Sequence, residues 1–216
     1  MQINLANVST NQAVGIMDMF RLCQTEKLSI NGFDTSAVSF LNGMFSGCEN
    51  LQELDIACMA TSNVQNMTSM FAWCLNLKSL DLSNFNTSKV EDMSNMFSGC
   101  KLLKKLNISS FDTDNVEYMT RMFYECDSIQ CLDLSKFSTK KVVSFMSMFT
   151  GCISLKKLNI SGFMVRSDIY TRKDNRTKNM FKGCDNLEEV VLTKDGYSRL
   201  VFTEQLKAVG IYCKII

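Results

Sequence analysis

The apolar residues of this chain recur in a unit that begins with alternating apolar and polar positions. In the clearest unit, residues 74–100, the segment L-x-x-L-x-L places Leu80 and Leu82 on one face of an extended stretch, opposite Ser79 and Asp81. This alternation predicts a short β-strand. The corresponding residues of the other units are Leu28/Ile30, Leu51/Leu54/Ile56, Leu103/Leu106/Ile108, Ile129/Leu132/Leu134, Leu155/Leu158/Ile160 and Leu187/Val190/Leu192.

The second half of each unit has apolar residues three and four positions apart. In residues 74–100 they are Val90, Met93, Met96, Phe97 and Cys100. This spacing is typical of an amphipathic helix, and it predicts a helix of about three turns. Capping-box patterns mark the expected starts of three such helices, at Ser62-x-x-Gln65, Ser88-x-x-Glu91 and Asp114-x-x-Glu117.

A Met-Phe pair followed by a cysteine marks every unit. The seven copies are Phe20/Cys23, Phe45/Cys48, Phe71/Cys74, Phe97/Cys100, Phe123/Cys126, Phe149/Cys152 and Phe181/Cys184, and the steps between them are 25, then four times 26, then 32 residues. A fixed period in this range indicates a stack of repeats, each of which buries its apolar face against its neighbours. The sequence therefore predicts an α/β solenoid, a right-handed stack of about seven strand–turn–helix coils with parallel strands on one side.

We expect a single domain, residues 1–216, with a cap at each end of the stack. Residues 1–12 would form the N-terminal cap and residues 13–192 the repeats, with an insertion at about residues 164–179. The C-terminal cap, residues 193–216, would contain a turn at Asp195-Gly196, a strand at residues 199–202, a helix at residues 203–209 and a final apolar strand.

Three recurring motifs resemble those of the BspA-like leucine-rich repeats. They are G-C-x-x-L-x-x-L-D/N-L/I, F-N/D-T-S/D-x-V and M-x-x-M-F, which are clearest in residues 74–152, and the resemblance covers roughly residues 13–192. The family occurs largely in bacterial and parasite surface proteins and includes adhesins and host-binding proteins. The resemblance implies a leucine-rich-repeat fold and suggests the cell surface or secretion. The sequence as written shows neither the export signal nor the anchor typical of that family, and by itself predicts a cytoplasmic protein.

The composition argues against catalysis and metal binding. The chain has no histidine, and none of its 10 cysteines forms a C-x-x-C pair, so we expect no catalytic residues, no metal and no cofactor. The cysteine that recurs in every unit is predicted to be a buried, reduced thiol that fills a small volume in the core. Cys131 differs because it occupies an outward strand position; there it could be a reactive thiol or simply a surface residue.

Charge is distributed unevenly along the chain. Residues 1–100 contain 4 Lys/Arg and 9 Asp/Glu, residues 101–185 contain 15 and 9, and residues 186–216 contain 4 and 4, so the net charges are −5, +6 and 0. A solenoid converts sequence order into distance along its axis, and these charges predict an electrically polarised rod. Such polarity favours a charged partner.

The outward strand positions form the first candidate binding surface. They make three columns: Gln52, Lys78, Lys104, Gln130, Lys156, Glu188; then Glu53, Ser79, Lys105, Cys131, Lys157, Glu189; and then Asp55, Asp81, Asn107, Asp133, Asn159. The candidate partner-binding residues here are Lys78, Lys104, Lys105, Lys156 and Lys157. Lysines beside an Asp/Asn row suit a protein partner better than a phosphate backbone.

The insertion provides the second candidate, since loops on rigid scaffolds often carry function. Its candidate residues are Arg166, Tyr170, Arg172, Lys173 and Arg176. Together the two surfaces predict a non-enzymatic scaffold for recognising a protein, with a role in surface adhesion or host interaction. The alternatives are an intracellular inhibitor or adaptor that acts by steric occlusion, and a nucleic-acid-associated protein that uses the basic half. We expect neither membrane insertion nor a small-molecule substrate.

Overall fold

Each leucine-containing segment forms a short strand, and the strands stack along one side of a parallel β-solenoid of about seven coils. The computed structural model describes Thr10, residues 13–167 and residues 176–216. The strands of the successive coils are β1 Lys27–Ser29, β2 Glu53–Asp55, β3 Ser79–Asp81, β4 Lys105–Asn107, β5 Cys131–Asp133, β6 Lys157–Ile160 and β7 Glu189–Leu192. The predicted strand of each coil and the predicted number of coils are confirmed.

Neighbouring strands pair in parallel with equivalent residues opposite each other. Leu80 lies opposite Leu106, and Leu132 lies opposite Leu158. The hydrogen-bonded ladder is interrupted twice, between β2 and β3 and between β4 and β5. The strands therefore form two pairs and one four-stranded sheet, which ends in β8 (Lys214–Ile215).

The predicted helix in the second half of each coil is wrong. These segments are runs of β-turns in which alternate amides bond to the carbonyl three residues earlier, as Met70 N does to Met67 O at 3.2 Å. The intervening amides bond to the following coil instead, as Phe71 N does to Met96 O at 3.0 Å. An α-helix would direct all of these amides back along its own chain.

Backbone conformation also excludes a helix in these segments. Two residues in most coils have positive φ, for example Ser69 at 57° and Trp73 at 62°, and a right-handed helix does not accommodate this conformation. The expected capping box at Ser88 is absent as well, because both its amide and its hydroxyl donate to Asn86 Oδ1. The three-and-four spacing reflects turns that direct apolar side chains inward.

The core consists of columns of identical residues that run along the axis. The phenylalanine rings of the repeated Met-Phe pair stack with centroids 5.5 to 5.9 Å apart, and the methionine before each ring from the second coil onward is fully buried. The stack comprises Phe20, Phe45, Phe71, Phe97, Phe123, Phe149 and Phe181. Each coil thus buries its apolar surface mainly against the next coil.

A column of buried threonines links the coils through polar contacts. Thr87 Oγ1 donates to Asp112 O at 2.7 Å and accepts from Asp112 N at 2.8 Å. Thr61 makes the same pair of bonds to Asn86, and Thr139 makes it to Met164. The threonine of the F-N/D-T motif therefore satisfies backbone groups of the following coil where the chain leaves the strand side.

Over the first six coils, a large residue and a glycine alternate at the last positive-φ position, before a second glycine follows in the seventh. The Trp73 ring covers Gly99, so that a Cβ on Gly99 would lie 2.5 Å from the ring. Leu22 covers Gly47 in the same way, and a Cβ there would lie 2.5 Å from the leucine side chain. Each of these contacts joins two neighbouring coils at this edge.

The C-terminal residues form α1, Gly196–Ala208, and then β8. Asp195 caps the helix by accepting from Ser198 N at 2.8 Å, so the predicted strand at residues 199–202 is wrong. Phe202 packs edge-on against Phe145 and Phe163. Residues 1–9, 11 and 12 lie outside the described residues, and the division into caps and repeats stays a prediction. Within the described chain, no helix has the length and apolarity needed to cross a membrane.

Candidate partner-binding surface

The lysines predicted to bind a partner lie together on the outer surface of the strands, which we call the strand face. It comprises the outward residues of β1–β7 and the residue before each strand. All five candidate lysines are exposed, namely Lys78, Lys104, Lys105, Lys156 and Lys157. The strand periodicity places them there because neighbouring residues such as Leu80 and Leu158 are buried in the core.

Ion pairs occupy the two ends of the strand face. Lys27 Nζ lies 2.7 Å from Glu53 Oε1, and Lys156 Nζ lies 3.1 Å from Glu188 Oε1. Among the described residues, no carboxylate lies within 4.0 Å of the ammonium groups of Lys78, Lys104, Lys105 or Lys157. The lysines without a carboxylate partner among the described residues therefore lie in the middle of the face, from β3 to β6.

The Asp/Asn column closes a turn at the ends of β2 to β6. Asp81 Oδ1 accepts from Ser83 N at 2.9 Å, and Asp133 Oδ1 accepts from Ser135 N at 2.9 Å. The Ser83 amide and hydroxyl hold the pKa of Asp81 below its usual value, and those of Ser135 do the same for Asp133. These carboxylates thus remain ionised at neutral pH and form a negative row beside the lysines.

A shallow trough crosses the strand face along the Asp/Asn row, with Lys104, Lys105 and Lys157 lining its two outer parts and Lys136 its middle part. It consists of three depressions of 450, 270 and 350 Å³, and every one of them is lined by Cys131. The trough extends from Ser79 on β3 to Val191 on β7, and we call it the strand trough. It crosses the strands and therefore follows the solenoid axis.

Cys131 and the recurring cysteines have very different surroundings. Cys131 is an exposed free thiol whose strand position is opposite Lys157. From Cys48 onward, the recurring cysteines are buried free thiols that donate to the phenylalanine carbonyl of the preceding coil, as Cys100 Sγ does to Phe71 O at 3.1 Å. Burial raises the pKa of Cys48 to about 11 and that of Cys100 to about 12, so these thiols stay protonated at neutral pH.

The basic insertion is only partly described. Arg166 is exposed and Arg176 is half-buried. Tyr170, Arg172 and Lys173 lie outside the described residues. The proposed grouping of these five residues therefore stays a prediction.

The sequence analysis missed the apolar part of the trough. The 270 Å³ depression lies where the ladder is interrupted between β4 and β5, and Leu106 and Phe137 line it together with Lys136. The alternating pattern assigned Leu106 to the core, yet it is only partly buried. Nothing in the sequence distinguishes Leu106 from Leu80 or Leu132, because the interruption arises from how two coils sit together.

The described residues include no group of three or more Cys, Asp or Glu side chains placed to hold a metal ion. The exposed groups on the described strand face are lysines, carboxylates, amides, the Ser79 hydroxyl and the Cys131 thiol. This set can form ion pairs and hydrogen bonds with a macromolecule.

A family model described as "Mycoplasma protein of unknown function, DUF285" matches residues 1–79 and 75–194. The chain belongs to this family. No curated protein matches the chain. Two solved structures show distant likeness: a leucine-rich repeat protein of T. pallidum (TpLRR), and a complex of TLR13 with ssRNA13.

The T. pallidum protein is 14% identical, with a TM-score of 0.46; the match covers 99% of this chain and 78% of that one. For the TLR13 complex the identity is 17% and the TM-score 0.21, over 77% of this chain and 36% of that one. Such scores carry no conclusion about function. The leucine-containing strand repeated on successive coils makes this a leucine-rich-repeat-like protein, whereas membership of the BspA-like group stays a prediction.

Proposed function

We propose that this protein is a non-enzymatic scaffold that recognises an acidic protein partner through the strand face. The observation that supports this most directly is the group of exposed lysines on β3–β6 that lack a carboxylate partner among the described residues: Lys78, Lys104, Lys105 and Lys157. Charges left unpaired on a regular surface attract a partner of opposite charge and orient it as it approaches.

The solenoid holds these charges at a fixed spacing. Hydrogen-bonded strands lie about 4.8 Å apart, and Lys104 and Lys105 are two coils from Lys156 and Lys157. The lysine backbones belong to strands or precede strands that are anchored by core leucines such as Leu80 and Leu158, and the surface loses little backbone entropy on binding. The scaffold acts sterically, either by bridging two partners or by covering the working surface of one.

The basic insertion extends this surface in our proposal. Arg166, Tyr170, Arg172, Lys173 and Arg176 supply further positive charge and one aromatic ring. Surface adhesion or host interaction is one setting for such a scaffold. An intracellular inhibitor or adaptor is the other, and cell fractionation with an antibody to the protein separates them.

Nucleic acid is the second candidate partner because residues 101–185 carry a net charge of +6. The ionised Asp81 and Asp133 lie beside the lysines, and they would repel a phosphate backbone that followed the strand face. A protein, which presents both signs of charge and amide donors, fits this surface better.

Affinity capture with charge-reversal variants tests the proposal. Bait proteins are the wild type, the double variant K104E/K105E, and the control K140E/K182E, which reverses two exposed lysines away from the strand face. Extracts of the source cells are treated with nuclease, and captured proteins are quantified by mass spectrometry. We expect a partner that the wild type and the control retain and that K104E/K105E loses about tenfold.

Two results would contradict the proposal. If the captured partners bind all three baits equally, the strand face is excluded as the binding surface. Binding that disappears after nuclease treatment and weakens steeply with salt would favour the nucleic-acid alternative. The further variant R172E/K173E tests whether the insertion contributes.

A further inference from the structure

We propose that the strand trough binds an extended, acidic segment of the partner, and that one apolar side chain of this segment enters the depression between β4 and β5. This inference rests on the proposed function, because it assumes that the strand face is the binding surface. It adds the form and the chemistry of the bound segment.

The length of the trough suits an extended chain. The trough crosses four coil steps, from β3 to β7, which at about 4.8 Å a step is about 19 Å. An extended peptide rises about 3.3 Å per residue, so about six residues span this distance. Its shallow, linear form matches a single strand better than a folded domain.

The interrupted ladder creates the place for an apolar side chain. Where β4 and β5 fail to pair, Leu106 is partly buried and lines the 270 Å³ depression together with Ile108, Leu132 and Phe137. Leu80 and Leu132, its equivalents on the neighbouring strands, are 4% and 7% exposed. Covering Leu106 with an apolar side chain would remove that surface from water and would fix the register of the segment.

Charge determines which way the segment faces. Lys104, Lys105 and Lys157 line the two outer parts of the trough, and Lys136 stands at the depression itself. The Asp/Asn row along the trough has the ionised Asp81 and Asp133, alternating with Asn107 and Asn159. Acidic side chains would therefore face the lysines, and backbone amides of the segment would face the Asp/Asn row.

Cys131 provides a natural reporter of occupancy. Its thiol is exposed and lines all three depressions, so a segment lying in the trough covers it. Cys58 is also exposed, but it lies beyond the end of β2 and donates to Ile30 O, outside the trough. It serves as an internal control in the same molecule.

The experiment measures the alkylation rates of Cys131 and Cys58 by iodoacetamide, with peptide mapping by mass spectrometry. The probe is the acetylated, amidated peptide EELEEL, titrated to about 1 mM. We expect saturating peptide to slow alkylation of Cys131 about tenfold, and to leave Cys58 unchanged. The comparison peptides are EEGEEG, which lacks the apolar anchor, and KKLKKL, which has the opposite charge; we expect much weaker protection from both.

The same measurement on K104E/K105E and K140E/K182E tests the charge argument. Protection by EELEEL should be lost in the first variant and kept in the second. Each rate is compared with and without peptide in the same variant, which cancels any effect of the substitution on the thiol itself. Thermal unfolding followed by circular dichroism checks that both variants are folded.

Other outcomes would overturn the inference. Equal protection by EELEEL and EEGEEG would show that no apolar side chain anchors the segment. If EELEEL does not protect Cys131 at all, an extended acidic segment is excluded as the ligand of the trough. Protection of Cys131 by an oligothymidylate alone would make nucleic acid the ligand. If K104E/K105E loses the captured partner while no peptide protects Cys131, the strand face binds a folded surface; the inference then fails and the proposed function stands.

Discussion

At the scale of single residues, the packing between coils depends on how one side chain meets the backbone of the next coil. Gly99 adopts φ of 73° and lies beneath the Trp73 ring. Both features favour glycine, the first because other residues are strained at this φ and the second because a Cβ would overlap the ring. Gly210 has φ of 76° but has no neighbour within 4 Å of an added Cβ. Comparing Gly99 with Gly210 therefore separates the cost of backbone strain from the cost of steric overlap with a neighbouring side chain.

We expect Gly99→Ala to lower the free energy of unfolding by about 3 kcal/mol and Gly210→Ala to lower it by about 1 kcal/mol. Urea unfolding followed by circular dichroism measures both. Adding Trp73→Ala to Gly99→Ala should recover most of the difference, because it removes the overlap and leaves the strain. Equal costs for the two glycines would show that the ring moves aside freely.

At the scale of the coil, buried polar columns decide where one turn of the solenoid meets the next. Thr87 both donates to and accepts from the backbone of Asp112, and it is almost completely buried, with 1% of its surface exposed. Since the same pair of bonds recurs at Thr61 and Thr139, this column acts as a spacer between coils. Removing one hydroxyl leaves a backbone amide and a carbonyl without their partner.

Thr87→Val keeps the shape of the side chain and removes both hydrogen bonds. We expect it to lower the free energy of unfolding by about 2 kcal/mol, because it leaves backbone polar groups unpaired next to a buried site. The control Thr87→Ser keeps the hydroxyl and loses a methyl group, and it should cost about 1 kcal/mol. A valine variant as stable as the serine variant would show that the threonine hydrogen bonds contribute little to the free energy of unfolding.

At the scale of the whole molecule, stability depends on pH through two sets of groups. Burial raises the pKa of the column thiols, to about 11 for Cys48 and to about 12 for Cys100 and Cys184, from an ordinary value of 9.0. The folded protein then keeps these protons above pH 9.0 while the unfolded chain loses them, so stability falls as pH rises from 9.0. Turn amides and hydroxyls lower the pKa of Asp81 and Asp133 below 3.8, so their contribution is present above pH 3.8 and is lost on further acidification.

We therefore expect the thermal midpoint to be highest between these limits and to fall on both sides, most steeply above pH 9.0, because several buried thiols act together. Circular dichroism melts across the pH range measure it. The variant C58S/C131S, which replaces two exposed thiols, should have the same alkaline profile as the wild type. A midpoint that stays constant above pH 9.0 would show that the column thiols do not remain protonated in the fold.

The repeated spacing of the sequence determined the stack, the strand of each coil and the inward direction of its leucines, since a two-residue alternation allows one face to be buried. Residue spacing could not distinguish helix from turns around Phe71 and Phe97. The choice depends on whether an amide such as that of Phe71 donates to a carbonyl of its own coil or to one of the next coil. The spacing of apolar residues within one coil carries no information about hydrogen bonds to the next coil.

On the strand face, too, the sequence determined some features and the tertiary structure determined others. Alternation alone placed Lys104, Lys105 and Lys157 on the outside. Only the tertiary structure decided that Lys156 is paired with Glu188, that the ladder stops between β4 and β5, and that Leu106 and Cys131 meet in one trough. These features arise from distances between residues on different coils, and such distances are set by how whole coils pack against each other.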